Sequence, residues 1–269
     1  MNPLLKRLLH LRNTIDFPLR SLLSFSTPYS GRTEDKSTLF NSLCSTRKKS
    51  AEAREVGMRT RYSLDALYEN SINHEYLQNL TTLEFLEQGI TNTSAAPEIR
   101  LLDIGSKYFC YAPAIHAFFS VRHPGKPVQL TGIEVDAYRR FIDLHTRYDY
   151  AQYYIRTIPA ARYIAGDFLK HEGEYDFITW FYPFIFDYAH LVWGLPLNLL
   201  KPREMLAHAY SLLAPGGTLL IINQYHQEKA VQAELCAQML IGPTSQEAIQ
   251  SSFTDSQVVR YSTVIKKAY

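Results

Sequence analysis

The chain has 269 residues, of which 46% are hydrophobic and 20% charged, and these values indicate a globular protein with one large domain or one domain with an extension. Its net charge of +2 gives no argument for nucleic-acid binding. It has three cysteines and no CxxC pair, which argues against a disulfide framework and a zinc site. The chain has no apolar run of about 18 residues, the length that a transmembrane helix needs. We therefore expect a cytoplasmic protein that binds no metal.

Helical patterns dominate the first third of the chain. Leucines from Leu4 onward form an apolar stripe with basic residues among them, and Pro18 is predicted to interrupt this helix. We expect the helix to pack on its own protein, and the alternative is a peripheral membrane contact through residues 1–25. A stronger helical pattern follows Ser63, a favourable N-cap residue.

Beyond the linker that ends at Pro97, strand and helix patterns alternate. Short apolar segments predict strands, which cover residues 100–104, 128–135, 162–165, 175–181, 218–223 and 257–266. Helical periodicity predicts helices over residues 112–120, 137–147, 203–213 and 228–240, and Asp136 is predicted to cap the second of these. Such alternation is typical of a mostly parallel sheet with helices on both faces. We therefore divide the chain into an N-terminal helical extension, which could act as a lid, over residues 1–95, and an α/β core over residues 96–269.

Acidic residues lie at or near the carboxyl ends of the first three predicted strands. Asp103 is followed by the turn residue Gly105, Glu134 directly follows the second apolar run, and Asp167 follows the third. Because the carboxyl ends of parallel strands meet at one edge of a sheet, these residues predict a nucleotide-sized binding edge. Other signatures of nucleotide, hydrolase or metal sites are absent from the sequence, namely GxGxxG, GxxxxGK[ST], GxSxG and HExxH.

Five segments in the core resemble, in order and spacing, the motifs of the class I S-adenosylmethionine-dependent methyltransferase family; they are residues 101–105, 132–136, 166–168, 175–183 and 213–221. The resemblance covers residues 98–269. It implies the Rossmann-like fold of that family, with a mostly parallel seven-stranded-type sheet and helices on both faces, here preceded by the N-terminal helical extension. It also implies S-adenosylmethionine as cofactor. The residues that would bind it are Asp103, Gly105, Ser106, Lys107, Glu134, Asp167, Phe168 and Phe181.

The resemblance assigns roles to these residues and also shows a departure. Glu134 would hold the ribose, because a carboxylate accepts hydrogen bonds from both groups of a vicinal diol, and Asp167 would meet the adenine or cap a short turn. Lys107 and Phe109 stand where the family usually has glycine, which permits positive φ and a close approach of the ligand. Lys107 could pair with the carboxylate of the methionine moiety or another anion, partly fill the cleft of a fold that has lost catalysis, or point into solvent.

The loop over residues 180–188 is the most distinctive local stretch. It has one proline and no Asn or Asp at its start, so it does not support base methylation, although its aromatic rings could stack a planar substrate. The nearest acid–base candidates are Tyr182, Asp187 and His190. We therefore expect a methyltransferase that acts on a small or planar acceptor, without a nucleic-acid partner. The alternative is a catalytically lost protein of this fold that binds a nucleoside-like ligand or a protein partner.

Overall fold

The computed structural model describes residues 2–25, 27–254 and 258–269. In this part of the chain the strands are β1 (Ile99–Ile104), β2 (Val128–Glu134), β3 (Ala161–Ala165), β4 (Tyr175–Phe181), β5 (Leu213–Asn223), β6 (Pro243–Ile249) and β7 (Arg260–Lys266). They form one sheet with the order β3-β2-β1-β4-β5-β7-β6. The first five strands pair in parallel, whereas β7 is antiparallel to both of its neighbours.

Helices surround this sheet and precede it. Those found in the described residues are α1 (Pro3–Leu22), α2 (Ser45–Arg61), α3 (Asp65–Glu69), α4 (Asn73–Gly89), α5 (Ala112–Arg122), α6 (Arg147–Ile155), α7 (Asp187–Val192), α8 (Pro202–Ser211) and α9 (His226–Gln238). Single 3₁₀ turns lie at Lys36–Thr38, Phe168–Lys170 and Leu197–Leu199. The predicted fold class, a mostly parallel seven-stranded sheet with helices on both faces and an N-terminal helical extension, is confirmed.

Alternate residues of the central strands face opposite sides of the sheet, as the pleat requires. Leu101 and Phe177 belong to an apolar cluster that includes side chains of α4 and α5, whereas Leu102 and Ile178 belong to a second cluster with α8 and α9. The end of α4 packs tightly on the sheet, because a Cβ at Gly89 would lie 2.5 Å from the Leu220 side chain. The helices that precede β1 therefore contribute to the same apolar core as the sheet.

The predicted helix over residues 137–147, with Asp136 as its cap, is wrong. The chain instead makes a turn and an irregular loop after β2, and α6 begins only at Arg147, where Thr146 and Asp149 form a reciprocal capping box. The carboxylate of Asp136 forms ion pairs with three guanidinium groups, and this charge cluster replaces its expected role as a helix cap.

Two predictions about the N-terminal helices are also wrong. α1 continues through Pro18 to Leu22, and its last turn is closed by a backbone hydrogen bond from Leu23 to Leu19. Ser63 does not cap a helix, since it adopts a left-handed conformation with φ of 52° and α3 begins two residues later. Ser63 instead ends α2, because the backbone N–H groups of Ser63 and Leu64 donate hydrogen bonds to the carbonyl oxygens of Thr60 and Arg59 in the last turn of that helix.

The edge strand β6 was not predicted. Its residues are mostly exposed, so the sequence lacks the alternation of apolar and polar residues that marks a half-buried strand. The predicted tail strand corresponds to β7, although Gln257, where the prediction began, lies outside the described residues. No helix in the described part of the chain is long and apolar enough to cross a membrane.

Candidate active site

A cleft lies at the carboxyl ends of β1, β2 and β4, between the sheet edge and the segment that contains α7. It encloses about 950 Å³ of space, part of it open to solvent. Most of the predicted site residues line it, and they are Gly105, Lys107, Glu134, Asp167, Phe168, Phe181, Tyr182 and His190. The strand-end positions named from the sequence are therefore brought together in one cavity.

The loop between β1 and α5 has the backbone conformation for which glycine is usually needed. Gly105, Lys107 and Phe109 have φ values of 70°, 52° and 53°, so two of these three left-handed residues carry a side chain. Such a conformation costs roughly 1–2 kcal/mol for a residue with a Cβ. The ring of Phe109 is fully buried against Gly132, whose Cβ, if present, would lie 2.6 Å from it. The departure at Phe109 therefore fills the interior rather than the cleft.

The Lys107 side chain lies in the wall of the cleft. Its Nζ is 5.5 Å from the ring centroid of Tyr182 and 5.4 Å from that of Trp193, distances at which an ammonium is attracted to aromatic rings. Burial, and secondarily the Arg147 guanidinium, lower the pKa of Lys107. The Trp193 ring also has the guanidinium groups of Arg139 and Arg147 at 5.6 and 5.1 Å. This side of the cleft is therefore cationic and aromatic.

Glu134 ends β2 and is nearly inaccessible, with 6% of its surface exposed. Its Oε2 accepts a hydrogen bond from the backbone N–H of Lys107 at 2.9 Å, and its Oε1 accepts one from Asp136 at 2.8 Å. Burial raises the pKa of Glu134, and the Arg147 guanidinium opposes that rise. Oε1 also lies 3.7 Å from Arg147 Nη1. Because each carboxylate oxygen can accept two hydrogen bonds, both oxygens can accept one more.

Asp136 lies two residues further, at the rim, and attaches α1 to this edge of the sheet. Arg20 of α1 reaches it at 2.7 Å, Arg147 at 3.3 Å and Arg139 at 3.5 Å. Arg20 also donates a hydrogen bond to the carbonyl oxygen of Gly194 at 3.0 Å. The first helix of the chain is thereby fixed beside the cleft.

On the opposite wall, Asp167 and Phe168 follow β3. Asp167 Oδ1 accepts a hydrogen bond from the backbone N–H of Leu169 at 3.0 Å and so caps the short turn after it, while the residue also lines the cleft. The capping and the cleft-lining interpretations of Asp167 are thus compatible. The ring of Phe168 is buried in the same wall.

Asp103 and Ser106 do not line the cleft but lie beneath the loop. Asp103 is fully buried and accepts hydrogen bonds from Thr179 Oγ1 at 2.6 Å and from the Tyr111 hydroxyl at 2.9 Å. Burial raises its pKa to about 7. Ser106 Oγ donates to the carbonyl oxygen of Asp103 at 2.8 Å. Both residues stabilise the loop from below.

The three candidate acid–base residues occupy different environments. Tyr182 lines the cleft with φ of 58°, and burial raises its pKa. His190 also lines the cleft, with Nε2 at 3.0 Å from the Pro196 carbonyl oxygen, and burial lowers its pKa. Asp187 lies outside the cleft, where it pairs with Lys6 of α1.

Two residues beside the cleft were not identified from the sequence. Trp193 follows α7, in a part of the chain for which neither a strand nor a helix was predicted. Arg147 is the first residue of α6, whereas the predicted helix over residues 137–147 would have ended there. The aromatic character of the segment was the one available signal for Trp193. No sequence signal links Arg20 to Asp136, since 116 positions separate them.

Comparisons with known proteins give similarity to solved methyltransferase structures. A methyltransferase from Pyrococcus furiosus has a TM-score of 0.49 and 20% identity, over 71% of this chain and 83% of that one. A putative RNA methyltransferase from Pyrococcus horikoshii has a TM-score of 0.46 and 10% identity, over 72% of this chain and 84% of that one. TrmN from Thermus thermophilus has a TM-score of 0.45 and 17% identity, over 68% of this chain and 47% of TrmN. The chain therefore spans about half the length of TrmN. No family model and no curated protein match the chain.

Because these TM-scores are below 0.5, the fold assignment rests on the strand order and directions rather than on these likenesses. One expectation is nevertheless corrected. A small-molecule acceptor with no nucleic-acid partner was predicted, and this exclusion of nucleic acid is wrong, because the similar structures include one described as a putative RNA methyltransferase.

Proposed function

We propose that the cleft binds S-adenosylmethionine and that the chain transfers the methyl group of this cofactor to an acceptor. The observation that carries the proposal is the position of Glu134. Its buried carboxylate is held at a strand end by two backbone N–H groups, one of which belongs to the left-handed loop after β1. A carboxylate that is fixed in this way and still has acceptor positions on both oxygens suits a vicinal diol.

The remaining parts of the cofactor have matching partners in the same cleft. Asp167 is an acceptor for the adenine amino group, and Phe168 offers an apolar wall beside it. Lys107 provides the charge for an anionic group, and the carboxylate of the methionine moiety is the anion that the cofactor carries. The cofactor would supply an activated methyl group on a sulfonium.

The protein's part in such a transfer is to position the reactants and exclude water. The aromatic rings of Phe181, Tyr182 and Trp193 line the cleft next to Lys107. Their flat faces can also stack a planar group of the acceptor. An acceptor screen should include RNA, which the description of one similar structure names.

Calorimetric binding of S-adenosylmethionine and S-adenosylhomocysteine tests the proposal. We expect micromolar binding to the wild type and a loss of about 10-fold to 100-fold in Glu134→Gln, because a charged hydrogen-bond acceptor contributes roughly 1.5–3 kcal/mol. Glu174→Gln is the matched control, since this exposed glutamate pairs with Arg100 away from the cleft. Binding of neither compound to folded wild type would refute the proposal.

A second function is favoured by the Lys107 side chain in the cleft. A protein of this fold that does not use the cofactor could bind another anionic ligand at this ammonium. The variant Lys107→Gly separates the two, because glycine accepts the left-handed backbone and removes the side chain. If the cofactor binds to Lys107→Gly and not to the wild type, the second function is the correct one. Binding to the wild type that weakens in Lys107→Gly supports methyl transfer.

A further inference from the structure

α1 turns its polar face toward the protein and its apolar face toward solvent. On the inner face, Asn13 is fully buried and its Nδ2 donates hydrogen bonds to the carbonyl oxygens of Leu191 and Leu195 at 2.8 and 3.0 Å. Arg20 pairs with Asp136 on the same face. This orientation is the reverse of the usual surface helix, whose apolar stripe faces the core.

The outer face is a continuous stripe of large aliphatic side chains. Each member is between 42% and 76% exposed, and they are Leu4, Leu8, Leu11, Ile15, Leu19 and Leu22. Their spacing of three or four residues places them on one face along the whole of a 20-residue helix, which is about 30 Å long. Single exposed leucines are ordinary, but a contiguous apolar surface of this size indicates an interaction site.

A second exposed apolar group lies beside the end of α1 and extends this surface. Phe25 and Leu23 follow the helix with 54% and 67% exposure, and the loop after β2 presents Ile142 and Leu144 at 103% and 61%. The loop is joined to this segment, because Arg140 donates a hydrogen bond to the carbonyl oxygen of Leu23 at 2.5 Å. Two segments far apart in sequence thus expose apolar side chains at one place.

The charges of α1 determine which partner fits the stripe. The helix carries four basic and one acidic side chain, a net charge of +3, while the whole chain has +2. Lys6 and Arg20 are paired with carboxylates of the protein. Arg7 and Arg12 are exposed and form no ion pair among the described residues, and helical spacing places them on the two flanks of the stripe. The Arg12 guanidinium also donates hydrogen bonds to Asn13 Oδ1 at 3.1 and 3.0 Å. A second copy of the helix would bring like charges together, whereas an anionic lipid surface complements both flanks.

We propose that α1, together with Leu23, Phe25 and the loop of Ile142 and Leu144, docks on the interface of an anionic lipid bilayer. The helix lies in the plane of the membrane, its aliphatic stripe enters the boundary between headgroups and acyl chains, and Arg7 and Arg12 contact lipid phosphates. Because Arg20 attaches α1 to the rim of the cleft, docking holds the cleft beside the bilayer surface.

Vesicle co-sedimentation of the full chain tests the proposal. The probes are vesicles of phosphatidylcholine alone and of an equal mixture of phosphatidylcholine and phosphatidylglycerol. We expect the wild type to sediment with the anionic vesicles, and less so as salt is raised. Leu8→Glu combined with Ile15→Glu should lower the partition coefficient about 100-fold or more, and Arg7→Glu combined with Arg12→Glu about 10-fold or more. Val56→Glu is the control, since Val56 is 50% exposed on α2.

Circular dichroism and urea unfolding verify that the variants are folded, and exposed positions should tolerate these changes. Wild type that sediments with neither vesicle overturns the proposal, as does sedimentation that both double variants leave unchanged. Size-exclusion chromatography gives a further decisive outcome. If the wild type forms a dimer that Leu8→Glu with Ile15→Glu dissociates, and no vesicle binding is found, a second copy covers the stripe and the membrane proposal is refuted.

Discussion

The buried carboxyl group of Asp103 should make the stability of this protein depend on pH. The residue is fully buried beneath the loop after β1, and burial raises its pKa from the ordinary value of 3.8 to about 7. Each pKa unit corresponds to about 1.4 kcal/mol, so a shift of roughly three units amounts to about 4 kcal/mol. The folded state binds the Asp103 proton more tightly than the unfolded state does. This proton binding therefore stabilises the folded state fully below about pH 4, and the stabilisation is lost as the pH rises through about 7.

The substitution Asp103→Asn isolates this effect. Asparagine stays neutral, its Oδ1 can accept the hydrogen bond from Thr179, and its Nδ2 can donate to the Tyr111 hydroxyl. Between about pH 5 and about pH 8 the wild type should lose about 3 kcal/mol relative to the variant, since two of the three pKa units fall in this interval. The free energy of unfolding of Asp103→Asn, relative to that of the wild type, should therefore be higher at the higher pH.

Urea unfolding followed by circular dichroism at the two pH values measures the difference. Taking wild type minus variant removes the contributions of all other titrating groups, which the two proteins share. Asp65→Asn, a change at a carboxylate with 76% exposure, serves as the control and should show no comparable pH dependence. A free-energy difference for Asp103→Asn that is equal at both pH values would show that the buried carboxyl is not protonated in the folded state.

Two further predictions concern packing and the attachment of α1. Gly132→Ala should lower the free energy of unfolding by about 1–3 kcal/mol, because the new Cβ would lie 2.6 Å from the Phe109 ring. Urea unfolding measures this change. Gly57→Ala is the control and should not destabilise the protein, because the space around Gly57 is open. Arg20→Met should remove the ion pair with Asp136 and speed amide hydrogen exchange in α1 about 10-fold or more, whereas Arg7→Met should not. Equal protection of α1 in both variants would contradict this role of Arg20.

How far the sequence predicts the fold depends on whether a segment is buried in the sheet. β4 was predicted with its observed bounds of Tyr175–Phe181, because all seven of its residues are buried and all but Asp176 and Thr179 are apolar or aromatic. The edge strand β6 was missed, since its mostly exposed residues give no such pattern. The helix predicted after Asp136 fails for another reason, which is that the carboxylate is drawn into a cluster with guanidinium groups from α1 and α6.

The cleft shows the same division between local and distant determinants. Glu134 and Asp167 were identifiable because each follows an apolar run, and the carboxyl ends of parallel strands converge at one edge. The conformation of the loop after β1 could not be predicted from the sequence. Lys107 and Phe109 adopt positive φ only through contacts such as the packing of Phe109 against Gly132. The Trp193 ring contacts three cationic groups from different segments, and no local sequence pattern predicts these contacts.

The orientation of α1 illustrates why a periodic pattern is incomplete evidence. The spacing of its leucines defines an apolar face equally well whether that face points inward or outward. The direction is set by Asn13 and Arg20, because a buried amide and a partly buried guanidinium are tolerated only where acceptors meet them. The carbonyl groups of Leu191 and Leu195 and the carboxylate of Asp136 provide those acceptors at the rim of the cleft. The polar contacts that fix α1 beside the cleft thus also turn its leucines to the outside, so the exposed stripe follows from how the helix is attached.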